Sequence, residues 1–455
     1  MLLPMLRLLH DSYVAVFRRY PVLGRMAAVA VLAEILFACV NSYALPFYVR
    51  DDLHKSGATL GLLASTFLVV EMALKMPFGH LSDRYGRRLF ASAGLALLVV
   101  SPVVIFALPT DLLLATPAMI FVLLMPLRAL DGVGAAALWP PLFATVPDNV
   151  PREQRGVAMS VVNTAYMAGL ALGPTLGGLS MHVAEWIGAP DRLISKAPFA
   201  LAAAAAFAAA LVARGLPEER PAEPQITQIA QTGRLRRNDE LPNNKETKAL
   251  RERRGGRTRA ELPVRIVGPI MLISFCEMFA VGMLAPFMAL YINEITGIAK
   301  SNVGPLLLVL FVPAGVLGIP VGHLVDRWPR HRVVQAAFWT AAVGMALVPA
   351  CGSVVSLLGV GVVVTMGFLF ALPAWLALVA DLAPEGRSGR VIGTMATAQG
   401  AGAFMGPLLG GHLWDINIRY PWYAAAGMLT AAALLATTLR RGGGQAGEGA
   451  LAKFE

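Results

Sequence analysis

Twelve apolar stretches, each long enough to cross a bilayer, divide this chain into two sets of six. They fall at 26–49, 58–78, 89–108, 118–146, 157–181, 197–213, 266–293, 302–325, 333–351, 353–380, 391–413 and 421–439. A helix needs about 20 mostly apolar residues to cross the hydrocarbon. In lipid, only helices and closed barrels satisfy every backbone N–H and C=O. The expectation is an all-α membrane protein. Composition points the same way. Of the 455 residues, 56% are hydrophobic and 15% charged, with a mean hydropathy of +0.63; soluble domains carry about 25% charged residues. The three cysteines, Cys39, Cys276 and Cys351, all lie in apolar stretches, so the chain does not read as a secreted disulfide scaffold.

The net charge of +10 would suggest nucleic acid in a soluble protein. Here its distribution gives another reading. Only Arg50, Lys55, Arg192, Lys196, Lys300 and Arg419 fall on one set of turns, and Lys75 and Arg128 fall within spans. Every other Lys and Arg lies on the termini, on the central segment or on the alternate turns. That is the positive-inside pattern. It predicts a multi-pass protein of a bacterial-type inner (cell) membrane with both termini cytoplasmic, and no nucleic-acid partner. Five segments follow: a cytoplasmic lead-in at 1–25 that is not a cleaved signal, a six-helix bundle at 26–213, a basic and largely disordered linker at 214–265, a second bundle at 266–439 and a cytoplasmic tail at 440–455.

The halves repeat each other. At one fixed offset Glu34 meets Glu277, Tyr48 meets Tyr291, Gly61 meets Gly304, and Asp83-Arg84 meets Asp326-Arg327. After a change of register at the turn 109–117, Pro140 meets Pro373 and Asp148 meets Asp381. Further on, Gly169, Gly173, Pro174, Gly177 and Gly178 meet Gly402, Gly406, Pro407, Gly410 and Gly411. Two bundles of one ancestry, joined by a linker, predict a rocking transporter with its site between the halves.

Four motifs carry a family likeness. Gly79-His80-Leu81-Ser82-Asp83-Arg84-Tyr85-Gly86-Arg87-Arg88 lies in the turn between the second and third spans. It resembles the signature loop of the major facilitator superfamily; Pro329 replaces the Gly86 position in the second copy. Glycine permits the sharp turn, and Arg87 can bridge Asp83 to another acid, with Asp148 the candidate. The resemblance implies a latch on the cytoplasmic side built from Gly79, Asp83, Arg84, Gly86, Arg87, Arg88 and Asp148, with Asp326 and Arg327 as its second-half copy. Arg128-Ala-Leu-Asp131 followed by small residues is similar to the family's fourth-helix motif, often linked to proton transfer; the family has Gln where this chain has Asp131. Three residues apart, Arg128 and Asp131 can pair. Gly169 to Gly178 and Gly402 to Gly411 resemble the GxxxGPxxGG antiporter motif of the drug-exporting branches. Asn41-Ser-Tyr-Ala44-Leu45-Pro46 is similar to the end of their first helix. Their acid stands where this chain has Phe37, with Glu34 one short helical step earlier. The resemblance covers 26–440 and implies the major facilitator fold, twelve transmembrane helices in two pseudo-symmetric six-helix bundles.

Glu34, Glu71, Asp131 and Glu277 lie within spans, with Lys75 and Arg128. Each intramembrane charge costs about 2.5 kcal/mol or more on insertion scales, so each is a functional candidate. A carboxyl in apolar surroundings resists ionisation, and so can load a proton on one side and release it when its solvation changes. Glu34 and Glu277 are the leading proton or cation sites, ahead of Glu71, Asp131 and Arg128. Glu71 and Lys75, four apart with the acid first, can also neutralise each other. A substrate surface is expected among Phe37, Asn41, Tyr43, Phe47, Trp139, Phe143, Phe279, Phe370 and Trp375, suiting lipophilic and cationic compounds.

The expected function is secondary active transport, as proton-coupled efflux of small amphipathic or drug-like molecules. The expected partners are a small-molecule substrate, protons and the lipid bilayer; the expected state is a monomer with no cofactor and no metal. A transporter of a polar metabolite, or a lysolipid or glycolipid exporter of the same fold, remains open on sequence. An enzyme is not expected, since no metal-spaced pair or nucleophile–base motif is present. An ATP-driven pump would need the phosphate loop GxxxxGK[ST], which the chain lacks.

Overall fold

The computed structural model describes residues 19–151, 154–217, 264–310, 328–382 and 388–451. Residues 218–263 of the linker, most of the lead-in, and Gly322, Asp326 and Arg327 lie outside the described residues. The long helices of the first half are α1 (Pro21–Asp52), α2 (Gly57–Tyr85), α3 (Arg87–Ala107), α4 (Pro117–Asn149), α5 (Arg155–Trp186) and α6 (Ala197–Ala213). Those of the second half are α7 (Val264–Leu284, resumed as Met288–Thr296), α8 (Lys300–Leu310), α9 (Arg330–Leu347), α10 (Val354–Leu382), α11 (Ser388–Ile416) and α12 (Tyr420–Leu451).

Among the described residues, ten helices are long and apolar enough to cross a membrane. The described part of α8 is short. Helix α11 has the length, but its glycines, alanines and Gln399 dilute its apolarity, because much of it faces protein instead of lipid. Two boundaries differ from the sequence reading. Helix α1 already starts at Pro21, since proline is well tolerated in a first turn, and α12 continues to Leu451, into the expected tail.

Local chemistry shapes the ends and breaks. Ser56 Oγ accepts the Thr59 N–H at 3.3 Å and caps α2. Gly86 turns the chain into α3 at φ +104°, a conformation that favours glycine. Helix α1 widens to π geometry at Val40–Ala44 and Tyr48–Asp52, on either side of Pro46, whose missing N–H removes a helical bond. Pro286 breaks α7 at a comparable depth, between Leu284 and Met288.

The packing repeats with the sequence. Helix α1 packs on α5 and α6, and α4 on α2 and α3; α7 packs on α11 and α12, and α9 on α10 and α12. The GxxxG glycines make these approaches possible. A methyl on Gly169 would lie 2.6 Å from the Val31 carbonyl oxygen, and one on Gly173 2.6 Å from Ala38 Cβ; Gly177 sits against Tyr43 and Cys39. Gly402, Gly406 and Gly410 meet Phe275, Phe279 and Met283 of α7 in the same way.

The fourth glycine of each motif faces the other bundle. Gly178 lies under the Ser301 carbonyl and Gly411 under the Gly57 carbonyl. Gly304 lies against the Pro174 carbonyl and Gly61 against the Pro407 carbonyl. The seams α5–α8 and α2–α11 thus carry the contact between bundles, related by the internal repeat.

Candidate functional site

The end of the molecule that holds the Gly79–Arg88 turn is here called the basic face. Glu34 is buried about midway along α1. The close approach at Gly169 brings α5 against it, and one turn earlier on α5 the Tyr166 hydroxyl faces the Glu34 carboxyl. The Tyr166 ring meets Trp139 edge-on at 5.1 Å. Trp139 lies 5.8 Å from Phe37 and 6.0 Å from Phe143, and Phe37 lies 5.7 Å from Phe67. An acid is thereby set in an aromatic wall drawn from α1, α2, α4 and α5. Glu71 lies within electrostatic reach of Glu34 and pairs with Lys75 at 2.7 Å.

Helix α4 buries a self-neutralised pair beside that wall. Arg128 donates to Asp131 at 2.7 Å and to Asn41 Oδ1, while Asn41 Nδ2 donates to the Phe37 carbonyl at 2.9 Å. The guanidinium lies 4.8 Å above the Phe67 ring, a favourable cation–π geometry. Asn41, expected on the substrate surface, is engaged in this network. A cavity of about 10 Å³ lies between α1, α3 and α4 at the pair.

The second bundle repeats the first acid with a different partner. Glu277 is buried with its Oε2 unpartnered, and Gln399 of α11 lies within electrostatic reach of it. Gln399 occupies the repeat position of Tyr166, three residues before Gly402 as Tyr166 is before Gly169. The sequence reading named neither residue, although the repeat register pairs them. Phe279 is buried and faces Phe275 at 5.4 Å. Trp375, expected on the substrate surface, is fully buried and donates to Ser274 Oγ at 3.1 Å; it braces α10 against α7. Tyr43 lies away from the basic face, edge-on to Phe47, and its hydroxyl donates to the Lys300 carbonyl at 2.6 Å. It belongs to the seam between bundles.

At the basic face Arg87 donates to Asp83 at 3.1 Å, to Asp148 and to the Ala144 carbonyl. Arg84 lies 5.5 Å from the Tyr85 ring. Arg330 repeats the arrangement, with both oxygens of Asp381 at 2.6 Å and the Ala377 carbonyl at 3.3 Å. All three partners match across the halves: Arg87 with Arg330, Asp148 with Asp381, Ala144 with Ala377. Arg155 caps the end of α4 through the Val150 and Pro147 carbonyls, where a cation meets the negative helix terminus.

The contacts between bundles gather on the side away from the basic face. Lys300 pairs with Asp51 at 2.7 Å, and His182 Nε2 lies 2.9 Å from Asn302 Oδ1. Asp415, at the end of α11, accepts the Gly57 and Ala58 N–H groups of α2 at 2.6 and 2.9 Å, capping the other bundle's helix. Deeper in, Thr175 donates to the Gly304 carbonyl at 3.2 Å and Ser65 to the Phe404 carbonyl at 2.6 Å. The seam reaches Met72, against Gly400. Beyond it α2 becomes exposed, at Lys75, Met76 and Pro77. At the face opposite the basic turns the described bundles meet along both seams, leaving a cleft of about 590 Å³ lined by Asp52, Met181, Glu185, Asn293 and Lys300, and α2 emerges from the seam toward the basic face.

Twin bundles that meet along two symmetry-related seams, with a buried acid in each, have the plan of a carrier. The Major Facilitator Superfamily model matches residues 26–259 and 270–450, and the chain belongs to that family. It is an integral, multi-pass membrane protein that transports small molecules. The chain is 25% identical over 374 residues to "Multidrug resistance protein 2" of Bacillus subtilis (strain 168), covering 82% of this chain and 84% of that protein. It is 24% identical over 397 residues to "Quinolone resistance protein NorA" of Staphylococcus aureus, covering 86% and 89%. The fold is shared with a bacterial homolog of the human lysosomal transporter Spinster in an inward-facing and occupied conformation (TM-score 0.69, 14% identity, 92% of this chain and 96% of that one). A D-xylose-proton symporter shares it too (TM-score 0.67, 15% identity, 90% and 96%).

Proposed function

We propose that the chain is a proton-coupled exporter of lipophilic, drug-like molecules that works by alternating access, as a monomer in a cell membrane. The observation that carries this reading is Glu34: a buried acid facing Tyr166, whose ring begins a run of aromatic contacts through Trp139 and Phe37 to Phe67. A carboxyl so placed can hold a proton or face a substrate cation, but the Coulomb and desolvation terms oppose holding both. That exclusion is the minimum needed for exchange. The drug-resistance relatives, matched over four fifths of the chain, support a lipophilic substrate, and the polar-metabolite and lysolipid alternatives are not favoured.

The excess of Lys and Arg supports a cytoplasmic position for the basic face and both termini. With the two seams on the outer side, we read the described state as inward-facing. Arg87 with Asp83 and Asp148, and Arg330 with Asp381, brace the basic turns as rigid units for rocking. Asp83→Asn is expected to lower turnover about tenfold, or about 1.4 kcal/mol in the barrier, while leaving equilibrium binding of a lipophilic cation within about twofold. Turnover and binding falling together would remove the latch role.

The test of the function is transport in proteoliposomes. With an imposed pH gradient, ethidium and tetraphenylphosphonium are expected to accumulate on the acidic side, against their own gradients, and to stop when the gradient is collapsed by an ionophore. Accumulation of a sugar or organic acid instead, or flux indifferent to the gradient, would overturn the proposal.

A further inference from the structure

Helix α2 carries an ion pair that the coupling scheme does not use. Glu71 and Lys75 meet at 2.7 Å, and their exposures differ sharply: 51% for the Lys75 side chain and 12% for Glu71. The second bundle has no such pair, since Ala314 and Gly318 occupy the repeat positions.

The placement of Lys75 follows from helical periodicity. Gly61, Ser65, Leu68, Met72 and Lys75 are spaced i, i+4, i+7, i+11 and i+14, which puts them on one face. Gly61, Ser65 and Met72 contact α11 through Pro407, Phe404 and Gly400. Lys75 is the next member of that face, one turn past the last contact, and it is exposed. It therefore stands where α2 and α11 part toward the basic face. Glu71 is held on the neighbouring side, where Gly132 of α4 packs against its backbone nitrogen. It lies within electrostatic reach of both Glu34 and Tyr166.

The two members of the pair are unequal. Releasing the Lys75 ammonium into a water-filled opening costs little, because the group is strongly hydrated and its stem is flexible. Leaving the Glu71 carboxylate without a cation costs more, because it is largely withdrawn from water and lies near a second acid. Glu71 thus requires a positive partner, and Lys75 is the one attached to the chain.

We propose that Lys75 is a tethered competitor for the substrate cation: its ammonium occupies Glu71 in the empty inward-facing site, and a lipophilic cation must displace it to bind. The pair sets the charge selectivity of the site. A neutral ligand meets a closed ion pair and gains nothing from Glu71. A cation gains Glu71 and gives up only a surface ammonium to water. This inference rests on the proposed function in that it needs the aromatic wall around Glu34 to bind lipophilic ligands.

The test is equilibrium binding to the full chain in nanodiscs, with tetraphenylphosphonium as the cationic probe and N-phenyl-1-naphthylamine as the neutral one. Lys75→Gln is expected to tighten tetraphenylphosphonium binding about tenfold, the scale of one charge–charge contact in a partly hydrated site, and to change the neutral probe by less than about twofold. Lys75→Arg keeps the competitor and is expected to bind like the wild type. Glu71→Gln is expected to weaken tetraphenylphosphonium, and adding Lys75→Gln to it is expected to give no gain. A wild type that binds both probes, with Lys75→Gln giving equal or weaker tetraphenylphosphonium binding, overturns this inference alone. A gain that survives in the double variant overturns it too, because Glu71 would not be the contested group. A wild type that binds neither probe overturns the proposed function and this inference with it.

Discussion

Glu34→Gln is expected to abolish gradient-driven accumulation of ethidium in inside-out vesicles, by about 100-fold or more, the scale of a lost proton-transfer group. The substitution is close to isosteric. The Gln side-chain oxygen can still face the Tyr166 hydroxyl, and the Cβ that packs against Gly169 is unchanged. Packing and folding should survive, so the loss reports on titration alone. A second measurement separates coupling from binding: exchange of labelled for unlabelled substrate, with no pH gradient, should continue in the variant at a rate within a few-fold of the wild type. The reason is that exchange requires the rocking motion and the binding wall but no net proton movement. If Glu34→Gln still accumulates substrate against its gradient, the coupling group lies elsewhere, and Glu277 with Gln399 is then the site to replace. If exchange is lost as well, Glu34 acts in substrate binding and not in coupling.

The duplication made much of this fold readable before any coordinates. Glu34 and Glu277 could be placed at equivalent depths because the repeat register is gapless there, and Arg87 with Asp148 could be paired because a charged turn faces a charged helix end. Other features carried no such signal. Helices that are apolar all round show no stripe separating lipid, protein and cavity. Trp375, Tyr43 and Asn41 read as cavity residues on residue type alone, and nothing in the sequence announced the contacts they make with Ser274, the Lys300 carbonyl and Arg128. The cap that Asp415 places on α2 was hidden for a different reason: its partners are the backbone amides of Gly57 and Ala58, which have no side-chain signature. Tyr166 and Gln399 were within reach. Each lies three residues before the first glycine of its GxxxGP motif, and the glycine that lets two helices touch also delivers the preceding turn to the acid.

Replacing Gly61 and Gly304 together by leucine is expected to force the seam open and stop transport altogether. A methyl at either position would overlap a carbonyl, that of Pro407 for Gly61 and that of Pro174 for Gly304. These oxygens are backbone atoms of two other helices, so they cannot rotate away as a side chain can. Overpacking a close contact costs about 1–3 kcal/mol per site. Two sites on the two symmetry-related seams should therefore shift the balance between closed and open by about 10²-fold or more, at 1.4 kcal/mol per factor of ten. The strain acts only when the bundles meet at the face opposite the basic turns, which makes the effect directional. A cysteine introduced at Ser301, now buried in that seam, should become reactive to a membrane-impermeant thiol reagent in the leucine variant and stay protected without it. The native Cys39, Cys276 and Cys351 are all buried and should give little background. Each single leucine variant should produce an intermediate rate of labelling, because Asp415 still holds the end of α2, and Lys300 with Asp51 the start of α8, across the bundles. Unchanged protection of the Ser301 position together with full transport would mean that the two glycine contacts do not govern closure, and the seam would have to be sought in those polar contacts instead.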